Sequence, residues 1–590
     1  MFFLCLALSP ALAYKGTLPT SGSGDSGVDL RLNLLYAESP DFGDFLPVHV
    51  TMRNVSPEKR QGVFEAKERA GTAHAAACWT ISVDPGAAIE TDIFLPSLQP
   101  RYGWPELEAR VVGFEGNRVI MSNYGNRGGA NPRTHFAALS DSLAGSRWSE
   151  IEKTLNDGLI SGPDKSEFLR KSAGTSYNRG GKIGPQLNKR SLQGSALDLN
   201  ELPADARALS GVVGLWVTAA EWRGLTAPRR EAIGQWMEEG GSLFVATDVL
   251  PKSPLPELPR TERFDEVTRR GFGSFRLVQS TGGQLSPEAA ANAILGLDGE
   301  VFPLRVGDFG GSPLLSEVGE PELNAKLSLA IMGLFAALAG PVNLYWLAPA
   351  RRRHRLFYTA PLISLGGALA LAACVFQIDG VGGWGKRNVL AFISSGHHRF
   401  SLVQEQVSQT RLLLHTDFVL PPGVSIQKLP IVFEPGELAL SDGVASGDWF
   451  MNRRRQAHLL RATLPSRAGV TVRPDVDGTP LALSTAPSLL RDVYHVDRAG
   501  ELWHGAVLAP GRPLRLEKSS AADFQAWART ATGRFSEGLK MAWRAVEGRP
   551  GYFYAMADSI PGVPIETLPS IRWGDDVVLY CGPCEEEASP

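Results

Sequence analysis

The chain has 590 residues, room for about three to five domains at the usual 100–200 residues each. Charged residues are 21% and hydrophobic ones 43%, which excludes wholesale disorder and a polytopic membrane protein. With 59 Lys and Arg against 62 Asp and Glu the net charge is -3, so the whole chain is no polyanion binder and no nucleic-acid partner is expected.

The amino end carries a short apolar run, Phe2 to Leu8, followed by Ser9, Pro10 and the A-x-A pattern Ala11, Leu12, Ala13. This reads as a signal peptide over residues 1–13, too short to span a bilayer in a helix. From 28 to 121 apolar and polar residues alternate, as in Leu30, Leu32, Leu34 and in Val48, Val50, Met52, with Gly and Pro between the runs. That pattern predicts half-buried strands and a β-sandwich.

The period changes in 134–315. THFAALS reads as a strand and SRWSEIEKTLNDGL as a helix, followed by a basic loop with Lys171, Arg179, Lys182, Lys189 and Arg190. Val212 to Thr218 reads as a buried strand. Thr226 and Pro228 open a helix whose Ile233, Trp236 and Met237 share one face, Gly240 and Gly241 close it, and Ser242 to Thr247 is another buried strand. Strand, helix and strand in this order predict a parallel α/β sheet.

Two uncharged segments follow, 327–350 and 356–378, with Arg351, Arg352, Arg353, His354 and Arg355 between them. As helices they reach about 36 and about 34 Å, against a hydrocarbon core of about 30 Å. They predict transmembrane helices at 327–347 and 356–378, packed as a hairpin through the small residues Ala336, Gly340, Gly366 and Ala370. The arginine-rich connector places their junction in the cytoplasm and both large flanking regions outside the cytoplasmic membrane. The bilayer is then a partner through two helices, alongside a possible protein partner in the cell envelope. From 386 to 590 strand patterning returns, predicting a β-rich, sandwich-like domain. Ser520 caps one helix, and a second helix carries a stripe of Phe535, Leu539, Ala542, Trp543 and Val546.

The segment LSGVVGLWVTAAEWRGLTAPRREAIGQWMEEGGSLFVAT resembles the class I glutamine amidotransferase-like fold of exported, membrane-anchored bacterial proteins. Those proteins join such a domain to sandwich domains and a membrane hairpin whose first helix contains Gly-Pro, here Gly340-Pro341. The resemblance implies a nucleophilic cysteine at the turn after the double-glycine strand. This chain has Ala246, Thr247 and Asp248 there, and no cysteine between Cys78 and Cys374. No catalytic residue is assigned, and Thr247 and Asp248 are the candidate ligand contacts at the strand end.

Other motifs are weaker. Cys581-Gly-Pro-Cys584 has thioredoxin-type spacing, but six residues follow, too few for the rest of that fold, and three of them are Glu, which disfavours a nearby thiolate; a disulfide-linked or a reduced tail is expected rather than a redox site. Gly380, Gly382 and Gly385 match a dinucleotide glycine pattern but follow a membrane helix rather than a strand. His397-His398 predicts a surface turn, and no metal or other cofactor is assigned. Arg453, Arg454 and Arg455 fit an acidic partner, headgroups or a solvated strand edge equally. The resulting functional reading is a membrane-anchored binding or scaffold protein. The alternatives are a hydrolase built on Asp248, Asp205 and His135, and a thiol oxidoreductase using the CxxC.

Overall fold

The computed structural model describes residues 20–22, 28–35, 45–70, 73–96, 106–112, 118–122, 134–138, 148, 150–151, 153–154, 192–198, 201–295 (apart from 252, 260 and 262), 312–319, 325–394, 398–429 and 436–586 (apart from 442 and 558–561). The expected signal peptide 1–13, the basic loop residues from Lys171 to Arg190, and His397 lie outside the described residues. Among the described residues the protein is multidomain and strand-rich, with sheets of four, six, ten, seven and four strands and few helices.

In the amino-terminal region, Thr20–Gly22, Val28–Leu34, Phe45–Asn54 and Ala88–Pro96 form one antiparallel sheet. It faces a second sheet that contains Arg60–Ala70, Ala73–Val83, Glu106–Val112 and Arg118–Ser122. Leu30, Leu32, Val48, Val50 and Met52 all point into the shared core, as the period-two alternation requires. The Asn54 side chain is fully buried and holds the following turn, donating to the Glu58 and Val83 carbonyls at 2.8 and 2.9 Å.

The second sheet continues past the amino-terminal region. Gly436–Ser441 pairs in parallel with Ala73–Val83, Gly436 opposite Ala73 through Ala439 opposite Ala76, and Val444–Gly447 and Phe418–Val419 extend it further. The Ser441 hydroxyl donates to the Cys78 carbonyl. The sequence boundaries 28–121 and 386–590 are therefore crossed by one sheet. Alternation shows that a strand is half-buried but carries no information about which distant strand completes its hydrogen bonds.

The 134–315 region holds the six-stranded sheet, in the spatial order Leu192–Ala196, Thr134–Ala138, Gly214–Thr218, Ser242–Thr247, Gly273–Gln279, Thr268–Arg270. Its first five strands are parallel, and the last is an antiparallel edge. The helix Ala227–Glu238 buries Ile233, Trp236 and Met237 against it. Gly240 closes that helix at φ 120°, with the Gly241 N–H reaching the Trp236 carbonyl and the Gly240 N–H the Met237 carbonyl, both at 3.0 Å. This is the paired bonding of a Schellman cap. Trp148 and Ile151 are buried on the helical segment near 148–154.

Beyond residue 380, a ten-stranded sheet is centred on Gly383–Ser394, Arg399–Thr410 and Val577–Pro583. One face carries Leu390, Phe392, Val403 and Val407 and is covered by Ala521–Ala531 and Glu537–Arg544, whose Phe524, Leu539, Ala542 and Trp543 are buried there; Phe535 and Val546 of the expected stripe flank the second helix and are buried in the same core. The Ser520 side chain accepts from the Asp523 N–H, as expected of a cap. The other face joins the largest core, to which the four-stranded sheet contributes Val470, Val472 and Ala482. Within this region of strand patterning, residues 411–417 hold one bridge at Leu412 and one bend at Leu414, and Phe418–Val419 is extended.

The first expected span falls on the helix Ala325–Ala337, which continues as the π-helix Leu338–Leu347. Pro341 inside it has no N–H to give, which favours the wider turn. Among the described residues, Leu329–Leu347 is the one stretch that meets both the length and the apolarity needed to cross a membrane. The second expected span falls on the 24-residue helix Leu356–Asp379, of which the side chains at 370–372 and 374–379 lie outside the described residues. The two helices meet at Gly367, where an added Cβ would lie 2.5 Å from the Phe335 ring. The expected contact residues Gly340 and Gly366 have nothing within 4 Å of that position.

Candidate functional site

The parallel sheet brings the ends of Gly214–Thr218, Ser242–Thr247 and Gly273–Gln279 side by side, with Thr218 opposite Ala246 and Thr247 opposite Gln279. Ligands of open α/β sheets bind beyond such carboxyl ends. Thr218, Thr247 and Asp248 at this rim are each engaged within a turn. The Thr218 side chain accepts from the Glu221 N–H at 3.1 Å, and the Glu221 carboxylate accepts from the Thr218 N–H at 2.7 Å, a complete capping box. Thr247 Oγ1 donates to the Val249 carbonyl at 2.9 Å.

Asp248 Oδ1 accepts from Ser280 Oγ at 2.6 Å and from the Gly283 N–H at 3.1 Å. The Ser280 hydroxyl first, and then the Gly283 amide, hold the carboxyl below its ordinary range. Gly282 and Gly283 supply the positive φ of 60° and 72° that turns their amides toward it. Asp248 thus ties the ends of two neighbouring strands together while remaining exposed to solvent. Both sequence-selected contacts, Thr247 and Asp248, are at the strand end as expected, and the structure adds Ser280, Gly283 and Glu221 to them.

The hydrolase alternative loses its convergence. Asp205 sits on the segment leading into the amino end of Gly214–Thr218, where it accepts from the Arg207 N–H at 2.9 Å and pairs with the Arg207 guanidinium at 2.7 Å. Arg207 in turn lies over the Phe94 ring at 4.5 Å, at the junction with the sandwich. Asp248 follows the opposite, carboxyl end of the sheet. The His135 side chain lies outside the described residues.

Cys581 and Cys584 are both free, the reduced alternative of the two that the sequence left open. Cys581 belongs to the helix-covered core, and Cys584 packs against the core on the other face of the ten-stranded sheet. Three residues apart on an extended chain, their side chains leave opposite faces. Cys581 Sγ lies 3.7 Å from the Ala391 carbonyl, and burial pushes its thiol well up from the ordinary value. Cys584 Sγ is 3.4 Å from His495 Nδ1, a pairing that sequence spacing did not disclose because 89 residues separate the two. The same nitrogen is 3.2 Å from the Tyr552 carbonyl, which can only accept. The Tyr552 carbonyl and the Cys584 sulfur thus share one imidazole nitrogen.

Several tempting charges have structural partners. Arg455 donates to the Leu315 and Gly319 carbonyls at 3.0 and 3.2 Å, closing the helix Pro313–Val318. Glu317 on that helix receives Lys386 and Arg534, each at 3.0 Å, and Lys386 also meets Asp575 at 3.4 Å. These contacts join the segment before the first apolar helix to the strand after the second. Gly382 and Gly385 lie where a Cβ would strike the Ser570 carbonyl or the Trp573 ring, which explains their spacing without a nucleotide. Among the described residues, no group of three or more His, Cys, Asp and Glu is arranged to hold a metal.

No family model matches the chain, and no curated protein matches it. Among solved structures, the Pseudomonas fluorescens alkylpurine DNA glycosylase AlkC, bound to DNA containing an abasic site analog, is 14% identical over 16% of this chain and 30% of its own, with a TM-score of 0.13. The beta-glucosidase from Listeria innocua is 16% identical over 18% of each chain, also at 0.13. The yeast delta-COP-I mu-homology domain is 8% identical over 35% of this chain and 96% of its own, at 0.16. This chain spans less than a third of the length of the first two. At these scores the likeness assigns neither fold nor activity.

Proposed function

We propose that this chain is a binding or scaffold protein of the cell envelope, anchored in the cytoplasmic membrane by a two-helix hairpin, with both large regions on the extracytoplasmic side. In this reading the 134–315 domain is amidotransferase-like and catalytically inactive. The observation that carries the proposal is the pairing of Gly436–Ser441 with Ala73–Val83. Strands from before and after the helices share one sheet, which supports a reading with both regions on one side of the bilayer. A crossing by Leu329–Leu347 then requires a return crossing before residue 436, for which Leu356–Asp379 has the length.

Exposure supports this reading. Leu329, Met332, Leu334, Leu362, Leu365 and Leu369 are each more than half exposed, an apolar surface that water does not tolerate at this density. Tyr345, Trp346, Phe357 and Tyr358 flank the arginine turn at the level where amphipathic rings favour the membrane interface. The inactive reading of the α/β domain is supported by its rim, where Thr218, Thr247 and Asp248 are held by turns rather than aimed at one another.

The test combines topology and pairing. Reporter fusions at Arg353 should be cytoplasmic and those after Lys386 external. A His74→Cys/Glu437→Cys pair, which faces across the parallel register, should cross-link in intact cells. A carboxyl-terminal region that resists protease in spheroplasts, or a chain released from membranes by alkaline carbonate, overturns the reading.

A further inference from the structure

We infer that the Arg351–Arg355 turn is a binding site for anionic phospholipid headgroups, an inference that rests on the membrane-hairpin reading. Residues Ala350–Arg355 form a 3-10 turn between the two apolar helices, and Arg351, Arg352, Arg353, His354 and Arg355 are all exposed. A 3-10 turn has three residues per turn, and Arg352 departs from helical backbone at φ -132° and ψ 39°. The guanidinium groups are therefore spread around the tip rather than stacked on one face.

The sequence contains no Asp or Glu from Leu323 through Ile378. Among the described residues no carboxylate pairs with any of the four arginines. Elsewhere in the molecule arginines are matched, as Arg387 is with Asp576 and Glu566 at 2.6 and 2.9 Å. The charge at the tip is left for an external anion.

The flanking rings select the kind of anion. Tyr345 and Trp346 on one side, Phe357 and Tyr358 on the other, are 71–83% exposed. The Tyr and Trp rings among them settle at the headgroup level, which holds the arginines at the depth of lipid phosphates. A guanidinium presents a planar fork of donors that matches phosphate oxygens in pairs. A free phosphate in solution needs no such ring belt, and the chain's net charge of -3 offers nothing further to a nucleic acid.

The full chain, reconstituted in phosphatidylcholine vesicles doped with phosphatidylglycerol, should enrich spin-labelled phosphatidylglycerol over spin-labelled phosphatidylcholine severalfold, with the preference weakening as salt rises. Replacing Arg351, Arg352, Arg353 and Arg355 together with Gln should abolish the preference, and replacing them with Lys should retain part of it. Equal enrichment by the Gln variant overturns the inference. Displacement of the labelled lipid by inorganic phosphate at constant ionic strength overturns the lipid assignment in favour of free phosphate. Flotation with pure phosphatidylcholine vesicles separates the two readings. Wild type and Gln variant should both float, and a wild type that fails to float defeats the membrane reading itself.

Discussion

Glu405 stands directly opposite Asn388 on the two central strands of the ten-stranded sheet, and its Oε1 accepts from the Asn388 amide at 2.8 Å and from the Ser536 N–H at 3.0 Å. Ser536 is the N-cap of Glu537–Arg544, so one buried carboxyl docks a helix onto the sheet. Burial raises its pKa above the ordinary carboxyl value, opposed by the Ser536 and Asn388 bonds and by the Lys540 charge.

The folded pKa of Glu405 exceeds the unfolded one. Its contribution to stability is then full below the ordinary carboxyl pKa and is lost as pH rises through the raised value. Glu405→Gln should keep both acceptor contacts, flatten that part of the pH profile and stabilise the chain at neutral pH. Glu405→Ala leaves buried donors unmet and should cost about 1–3 kcal/mol for each. Thermal unfolding of the detergent-solubilised full chain across pH, followed by tryptophan fluorescence, checks both.

Thr247 and Asp248 should have no role in glutamine hydrolysis. An acyl-enzyme route needs a nucleophile with a base about 2.6–3.2 Å away, and the Thr247 hydroxyl is instead bonded to the Val249 carbonyl. The purified full chain should release no ammonia from glutamine, and Thr247→Ala should fold normally. Asp248→Asn should loosen the Ser280–Gly283 turn, visible as faster amide exchange there. Glutaminase activity that disappears in Thr247→Ala would falsify the inactive-domain reading.

The two cysteines of the CxxC should behave independently. Cys581 is fully buried with a raised pKa and should resist alkylation until the protein unfolds, whereas Cys584 should react in the native state. Mass spectrometry of a non-reducing digest should find no bond between them. Reduction of insulin by the full chain, lost in Cys581→Ser/Cys584→Ser, would establish a redox site in place of the structural one.

The contact of Gly367 with Phe335 should matter more than the wider stripe of small residues. Gly367→Val drives a branched side chain into the Phe335 ring and should cost about 1–3 kcal/mol of helix–helix packing. Gly366→Ala, with open space beside it, should be silent. The ratio of the two effects on thermostability in detergent is the measurement, and equal effects would mean that the helices meet along another face.

Local features of the fold were legible in the residues themselves. Leu30, Val48, Ile233, Trp236 and Phe535 announced their buried faces through period two or period 3.6. Arg399–Thr410 concealed itself, because Ser401, Gln404, Glu405, Gln406 and Ser408 are all buried in a central strand that reads as polar. Gln404 and Gln406 are satisfied there by one another, by the Ile565 carbonyl and by Thr567, partners 161 residues away in the chain. The same distance problem hid the rim. Asp248 was visible as a residue after a buried strand, but Ser280 and Gly283 became its partners only once the parallel register brought 32–35 residues of chain back beside it.

The insertion of Gly436–Ser441 beside Ala73–Val83 also sets an order of events during synthesis. Ala73 emerges from the ribosome long before Gly436, and between them the whole α/β region and both apolar helices must be made. Through that interval the strand Ala73–Val83 has an unclaimed row of backbone donors and acceptors, the kind of edge that recruits other chains. A chain truncated after Leu356–Asp379 would keep that edge permanently, so loss of the carboxyl-terminal region should be read first as a hazard of misassembly and only then as loss of that region's own role.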